Sequence, residues 1–397
     1  MKSKFYLLLG AFAMCTYGLM YNWTVFSASV QNSVGCSVAS ASMVFSFSQI
    51  SFCSGGLISG FLYRKLNFNH SMIFATLMIG TGLLLTSYGN DIKLMYLTYS
   101  MMLNLGAGFA YKSLLTAIIS WFPKNPGFAS GVLLMGTGLS AFVFNLPTTY
   151  AIQMMGWRSS MRLVGGIAFT ISLLASLIIK QNQEDQQRLT IADSDDDVTT
   201  KNMLHSSKFY IFFAWSILLL AGCTSISGNA VLVAKSVGVT VSVAAILSMV
   251  ISLFNSLSRV VYGIIYDKKG RKMAMTISTV LFALAVMSLF MVFIAGIDEF
   301  IFVAFIFIGM SFGAVPSISS TYVLKTFGKK YYPSNFSVQG TYSLFSSILG
   351  TTLFGLLYSQ TNTLSLSFSY LIVYAIMAFG LLLGLNQIFK KSSAKFV

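Results

Sequence analysis

Apolar stretches long enough to cross a bilayer recur along the whole chain, and this restricts its fold more than any other feature. A helix needs about 20 apolar residues to span a hydrocarbon core of about 30 Å. We read twelve such stretches, near residues 5–28, 38–62, 71–89, 94–119, 127–150, 159–180, 209–233, 240–265, 273–295, 299–324, 336–358 and 365–388. Composition agrees: 9% of the residues are charged and 56% hydrophobic, with a mean hydropathy of +0.77. A soluble chain carries roughly a quarter charged residues. Most of this protein's surface must therefore face lipid.

The net charge of +15 raises the question of a nucleic-acid partner, and the placement of the cations answers it. With the N-terminus inside, the inner segments hold Lys2 and Lys4, Arg64 and Lys65, Lys268, Lys269, Arg271 and Lys272, and Lys390 and Lys391. The outer segments hold only Lys93, Arg158 and Lys235. This asymmetry follows the positive-inside rule for a multi-pass protein with both termini cytoplasmic. Nucleic acid is thus not an expected partner; the lipid bilayer is. Lys2 and Lys4 before an apolar run imitate a signal peptide, but the run is too long and no small-residue cleavage pattern closes it. The cysteines at 15, 36, 53 and 223 show no paired spacing, so no disulfide framework, metal site or cofactor is expected.

Between residues 181 and 208 the chain turns polar and acidic, and this stretch reads as a cytoplasmic linker. It separates an N-terminal six-helix half, 1–180, from a C-terminal six-helix half, 209–397, with a short basic tail. The halves share a local signature: Gly60, Tyr63 and Arg64 after the second span correspond to Gly263, Tyr266 and Asp267 after the eighth, 203 residues further on. Such a repeat suits a transporter. The expected fold is all-α, with twelve transmembrane helices in two six-helix pseudo-repeats.

An ionisable side chain inside a membrane is expensive enough to be a functional candidate by default. All ten carboxylates fall in loops or at helix ends, whereas Lys112 lies within the fourth span and Arg259 within the eighth. Asn104, Gly108, Lys112 and Thr116 recur every four residues and so share a helix face. Ser248, Ser252, Asn255, Ser256 and Arg259 form a similar stripe. Both faces are expected to be wet, each cation opening on a cavity where a substrate carboxylate supplies the counter-charge. Arg259 would be the planar bidentate partner and Lys112 the point charge. Tyr17, Tyr21 and Gln49 are candidate hydrogen-bonding residues of the same cavity. The competing reading has the cations held by backbone carbonyls or a helix C-terminus. Arg162 is expected to snorkel to the outer interface, and Arg158 to be held more loosely still.

Gly263-x-x-x-Asp267-x-x-Gly270-Arg271-Lys272 resembles the cytoplasmic loop motif of the major facilitator superfamily. Further segments are similar to the oxalate/formate antiporter and monocarboxylate transporter-like families. They are Tyr21-Asn-Trp23-Thr-Val-Phe26, Trp121-Phe122-Pro123 with Gly127-x-Ala129-x-Gly131, Gly156-Trp157-Arg158, and Phe327-Gly328-Lys329-Lys330 leading to Asn335-Phe336. The resemblance implies alternating access, with an arginine of span 8, here Arg259, binding the substrate carboxylate. Proton-coupled monocarboxylate carriers pair that arginine with an aspartate four residues earlier; here the residue is Asn255. The oxalate carrier has a lysine in span 11, and the stretch 336–358 has none, so Lys112 is the replacement this sequence offers. Gly263, Asp267 and Arg271 would latch the inner gate, Asp267 against the start of span 5. Arg64 stands at the aspartate position of the other half.

The resulting expectation is a secondary active or facilitative transporter of a small organic anion of the monocarboxylate type, acting as a monomer. Exchange for a counter-anion or electrochemically driven uniport is the expected cycle, and proton coupling through a titrating Lys112 is a further route. An amino-acid carrier or a transport-inactive membrane receptor remain the alternatives. An enzyme is not expected, since no span carries a nucleophile–base pair, metal cluster or phosphate loop.

Overall fold

The computed structural model describes residues 2–63, 65–182 and 197–393. Arg64 and most of the acidic linker therefore lie outside the described residues. The order before the linker is α1 (Lys2–Tyr17), a 3-10 turn (Leu19–Asn22), α2 (Trp23–Val34), α3 (Val38–Leu62), α4 (Phe68–Ser87), α5 (Ile92–Met95), a π-helical stretch (Tyr96–Leu103), α6 (Asn104–Ile119) and α7 (Pro126–Ile178). After it come α8 (Thr200–Met203), α9 (Ser207–Gly228), α10 (Ala230–Lys235), α11 (Val241–Ala295) and α12 (Phe300–Phe327). The chain then runs through α13 (Tyr332–Gln339), α14 (Tyr342–Ser347), a π-helical stretch (Ile348–Thr352), α15 (Leu353–Thr361), α16 (Leu364–Ser367) and α17 (Tyr370–Ser393).

Among the described residues ten segments are long and apolar enough to cross a bilayer. Two of these are double. In α7 Gly156 adopts φ 76° and ψ 162°, and in α11 Gly270 adopts φ 78° and ψ 179°. A side chain strains this region of backbone space so strongly that it is almost reserved for glycine. Each residue therefore ends one span and starts the next, and counting both helices as pairs turns ten spans into the twelve read from the sequence. The first span is not one smooth helix. It breaks at Gly18, where the chain tightens into the 3-10 turn before α2 resumes.

The chain divides into two compact units, Met1–Val198 with Val323–Gly340, and Thr199–Tyr322 with Thr341–Val397. The end of α12, the following loop and α13 thus pack with the N-terminal helices, although they come after the linker in sequence.

In lipid, helices gain little by hiding apolar surface from one another, so close backbone approach supplies much of the packing. In the first unit, α3 and α6 meet where methyl groups at Gly55 and Gly108 would collide with the Leu105 and Phe52 carbonyls. The Ala11 carbonyl of α1 likewise fills the space beside Gly136 of α7. In the second unit, Gly309 and Gly313 let α12 lie against the Ile251 and Asn255 carbonyls of α11. Large rings fill what remains. The Trp23 indole donates to the Ala41 carbonyl (2.8 Å), and the Trp215 indole donates to Thr279 Oγ1 (3.0 Å). Phe212 stacks on Tyr322 with centroids 3.8 Å apart.

A substitution pair separates backbone strain from packing. No atom lies within 4 Å of a Cβ built on Gly156, so Gly156→Ala is expected to cost about 1–3 kcal/mol through backbone strain alone. Gly108→Val is expected to cost about 1–3 kcal/mol or more by overpacking against α3. Thermal unfolding of the detergent-purified protein checks both.

Candidate functional site

Among the described residues the buried charged side chains are Lys112, 8% exposed, and Arg259, 9% exposed. Of the described carboxylates, Asp91, Asp298 and Glu299 are exposed, and Asp197 and Asp267 are half-buried. The deep charge is cationic, and the two cations belong to different units.

Lys112 rises from the middle of α6. Its stem runs over Gly56 of α3, where an added Cβ would sit 3.2 Å from Cγ and 3.5 Å from Cε. The ammonium donates to the Phe336 carbonyl at 3.0 Å and lies 3.4 Å from the centroid of the Phe336 ring, with the Tyr111 ring at 5.5 Å. Phe336 is in the last turn of α13, and its carbonyl also accepts from the Gly340 amide at 3.0 Å. A helix C-terminus favours a cation through its exposed carbonyls, and an aromatic face adds attraction through its quadrupole. In turn, Phe336 stacks on Tyr332 with centroids 5.4 Å apart.

This corrects the expectation of a wet face along most of the fourth span. Asn104 and Gly108 are buried with Lys112, and Gly108 and Lys112 pack against α3, while Thr116 is half-buried and lines a cavity. Asn104 turns its amide back to the Tyr99 carbonyl (2.7 Å), in the π-helical stretch where regular pairing is interrupted. Small and polar residues on one helix face mark close packing in lipid as readily as they mark water, and here packing prevails.

Along α3, Phe45, Gln49, Gly56 and Gly60 follow one another at helical spacing, which brings three predicted residues onto one side of the first unit. Tyr21 sits 6.2 Å from Phe45 between ring centroids and is 38% exposed. Gln49 is half-buried, and its buried Oε1 has no hydrogen-bond partner among the described residues. Lys112 lies over Gly56. Tyr17 does not join them. It is fully buried, with its hydroxyl beside Ser172 of α7. The break at Gly18 is the reason: residues four apart share a face of an α-helix but not of a tighter 3-10 turn.

In the second unit, Nε and Nη2 of Arg259 both donate to Asn255 Oδ1 at 3.3 Å, one helical turn back along α11. The Arg259 carbonyl accepts from Ser317 Oγ at 2.7 Å, and the Asn255 carbonyl accepts from Ser258 Oγ at 3.1 Å. Ser317 belongs to α12, which is pressed close by Gly313, so the turn bearing Arg259 is braced from behind. Gly263 is buried and Asp267 half-buried, one and two turns further along the same helix. Arg271 stacks on Phe389 of α17, 4.2 Å from the ring centroid, and contacts Met275 Sδ at 3.9 Å. An aromatic face and a thioether thus lie against it.

Of the two outer-end arginines, Arg158 differs from expectation. Arg162 lies 5.3 Å from the Tyr88 ring centroid. Arg158 is firmly engaged, with Nη2 donating to the Gly89 carbonyl (3.0 Å) and to Asn90 Oδ1 (2.6 Å) beyond the end of α4. Sequence reasoning named Phe336 only within a family-like segment and did not name Ser317, because nothing local marks a phenylalanine or serine as the partner of a cation far away in the chain.

Ser317→Ala is expected to remove one buried hydrogen bond and cost about 1 kcal/mol of stability, read as a small fall in the unfolding temperature.

The family model described as Major Facilitator Superfamily matches residues 7–351 and, in a second match, 204–394. The oxalate:formate antiporter of Oxalobacter formigenes is 24% identical over 355 residues, covering 88% of this chain and 84% of its own. Monocarboxylate transporter 12 of Xenopus laevis is 21% identical over 289 residues, covering 67% of this chain and 63% of its own. Among solved structures, the transporter FucP in its outward conformation superposes with a TM-score of 0.72 at 12% identity, over 97% of this chain and 99% of that one. The proton:xylose symporter XylE bound to 6-bromo-6-deoxy-D-glucose gives 0.71 at 14% identity, over 97% of this chain and 96% of that one. With twelve apolar helices, two deep cations and a family match across almost the whole chain, this protein belongs to the Major Facilitator Superfamily.

Proposed function

We propose that the protein carries a small organic anion of the monocarboxylate type across a membrane by alternating access. The observation that carries this reading is the charge deep in the bundle, which among the described residues is positive at both buried sites and never negative. A buried cation is stable only when something answers its charge, and a carboxylate-bearing substrate does so reversibly. Arg259 is the principal binding residue, with its fork aimed by Asn255 and its backbone braced by Ser317. Lys112 is the second cation, and Gln49 of α3 and Tyr21 of the 3-10 turn contribute hydrogen bonds. The similarity to an oxalate:formate antiporter and to monocarboxylate transporters supports the anionic class.

Two six-helix halves, 1–180 and 209–397, joined by the linker 181–208, would be the moving parts of the alternating-access cycle. Gly263, Asp267 and Arg271, with Arg64 in the other half, form the gating set at the inner end. The positive-inside pattern supports cytoplasmic termini. Asn255 gives Arg259 no ionisable neighbour four residues back, which favours anion exchange over proton coupling through that pair.

The test is uptake of labelled formate, oxalate, lactate and pyruvate into proteoliposomes. Arg259→Ala is expected to lower uptake of the preferred anion by roughly 30-fold or more, since truncating one partner of a buried charge pair costs about 2–5 kcal/mol. Arg259→Lys should recover part of it, because an ammonium lacks the bidentate fork. Asn255→Asp should also depress uptake by giving the guanidinium a permanent internal partner. Equal uptake of all four anions by wild type and Arg259→Ala would remove the proposal.

A further inference from the structure

A lysine buried in a bundle with a neutral carbonyl and a ring face for company is held but not neutralised. Lys112 is in that position: its ammonium lies 3.0 Å from the Phe336 carbonyl and 3.4 Å from the Phe336 ring centroid, inside a residue only 8% exposed. A carboxylate oxygen is a stronger acceptor for an ammonium than a neutral carbonyl already shared with the Gly340 amide. An anion reaching this point would win the ammonium from Phe336.

What Phe336 belongs to gives that exchange a consequence. Helix α13 is only eight residues long, Tyr332–Gln339, and a turn at Gly340 and Thr341 separates it from α14. Discontinuous helices of this kind are where transporters place sites that move. Besides Lys112, contacts at both α3 and the linker hold α13 in the first unit. Ser337 and Pro333 fill the space beside Gly60 of α3, so closely that a methyl group there would collide with both. At its start, Asn335 Nδ2 donates to the Val198 carbonyl at 2.9 Å, and the Val198 amide donates to the Phe327 carbonyl at 3.0 Å. The end of the linker is thereby tied to the segment that carries Phe336. Lys112 is the one of these tethers that a carboxylate can compete for.

We propose that Phe336 is a positioning residue that stands in for the substrate: its carbonyl and ring occupy the Lys112 ammonium, and an arriving carboxylate displaces them and frees α13 to move. Substrate occupancy is thus coupled to the α3–α13 contact and the linker end through one exchange of partners. The inference rests on the anion-carrier reading above and deepens it, by assigning Lys112 to sensing the anion and Phe336 to competing with it.

The experiment measures KM and maximal rate for formate, oxalate and lactate uptake by the full chain in proteoliposomes. It compares wild type, Phe336→Leu, Phe336→Met, Phe336→Tyr, Lys112→Met and the Lys112→Met/Phe336→Leu double variant. Removing the ring weakens the competitor, so Phe336→Leu and Phe336→Met are expected to lower KM by roughly 2- to 30-fold, the range that a cation–ring contact spans. Phe336→Tyr, which keeps a ring, should stay closer to wild type than either. In the Lys112→Met background the Phe336→Leu change should leave KM unmoved. Phe336→Met is the second variant should Phe336→Leu fail to fold. Unchanged KM on losing the ring, or the same shift without Lys112, overturns the inference and leaves the carrier reading standing. Wild type that takes up none of the three anions removes the carrier reading and this inference with it.

Discussion

Everything particular to this molecule follows from keeping positive charge where water is scarce. A cation in the middle of a lipid-embedded bundle costs several kcal/mol unless the protein or a ligand answers it. The two buried cations are answered in different ways. Lys112 is folded against the C-terminal end of a short helix and the face of a phenylalanine, so a dipole and a quadrupole stand where a carboxylate would. Arg259 is aimed by a neutral amide one turn away, with its backbone fixed from behind by a serine. In each unit, then, these partners of the buried cation are neutral groups.

The scaffold makes this possible by letting backbones approach. Gly55 and Gly108 bring α3 and α6 into contact, Gly56 leaves a channel for the lysine stem, and Gly60 admits Ser337 of α13. One face of α3 therefore packs against α6, seats the buried cation and meets the short helix that partners it. Side chains at these glycines would push the helices apart and carry the ammonium away from Phe336. The same economy operates in the second unit, where Gly309 and Gly313 bring α12 up to the turns of α11 just before Arg259.

Much of this was legible in the residues. Twelve apolar stretches, with a polar linker after the sixth, predicted the helical architecture. Lys112 and Arg259 stood out because charge is rare in such stretches, and the structure finds both buried. The reading failed wherever it assumed an unbroken helix or equated polarity with water. Tyr17 and Tyr21 are four apart but separated by a break at Gly18, so only Tyr21 lies beside α3. The stripe from Asn104 to Lys112 looked wet and is buried, with Gly108 and Lys112 packed against α3. Arg158 looked loose and is hydrogen-bonded to the chain beyond α4.

By itself the sequence determined the solvent of this protein, the number and type of its helices and the sign of its buried charge. Those depend on length, hydropathy and local residue type, which are written along the chain. Only the tertiary structure decided what each cation touches. Lys112 and Phe336 are far apart in sequence, and their meeting depends on the segment from Val323 to Gly340 packing with the first unit across the linker. Contacts between distant segments arise from the geometry of backbones brought together by glycines, and local pattern does not encode that geometry.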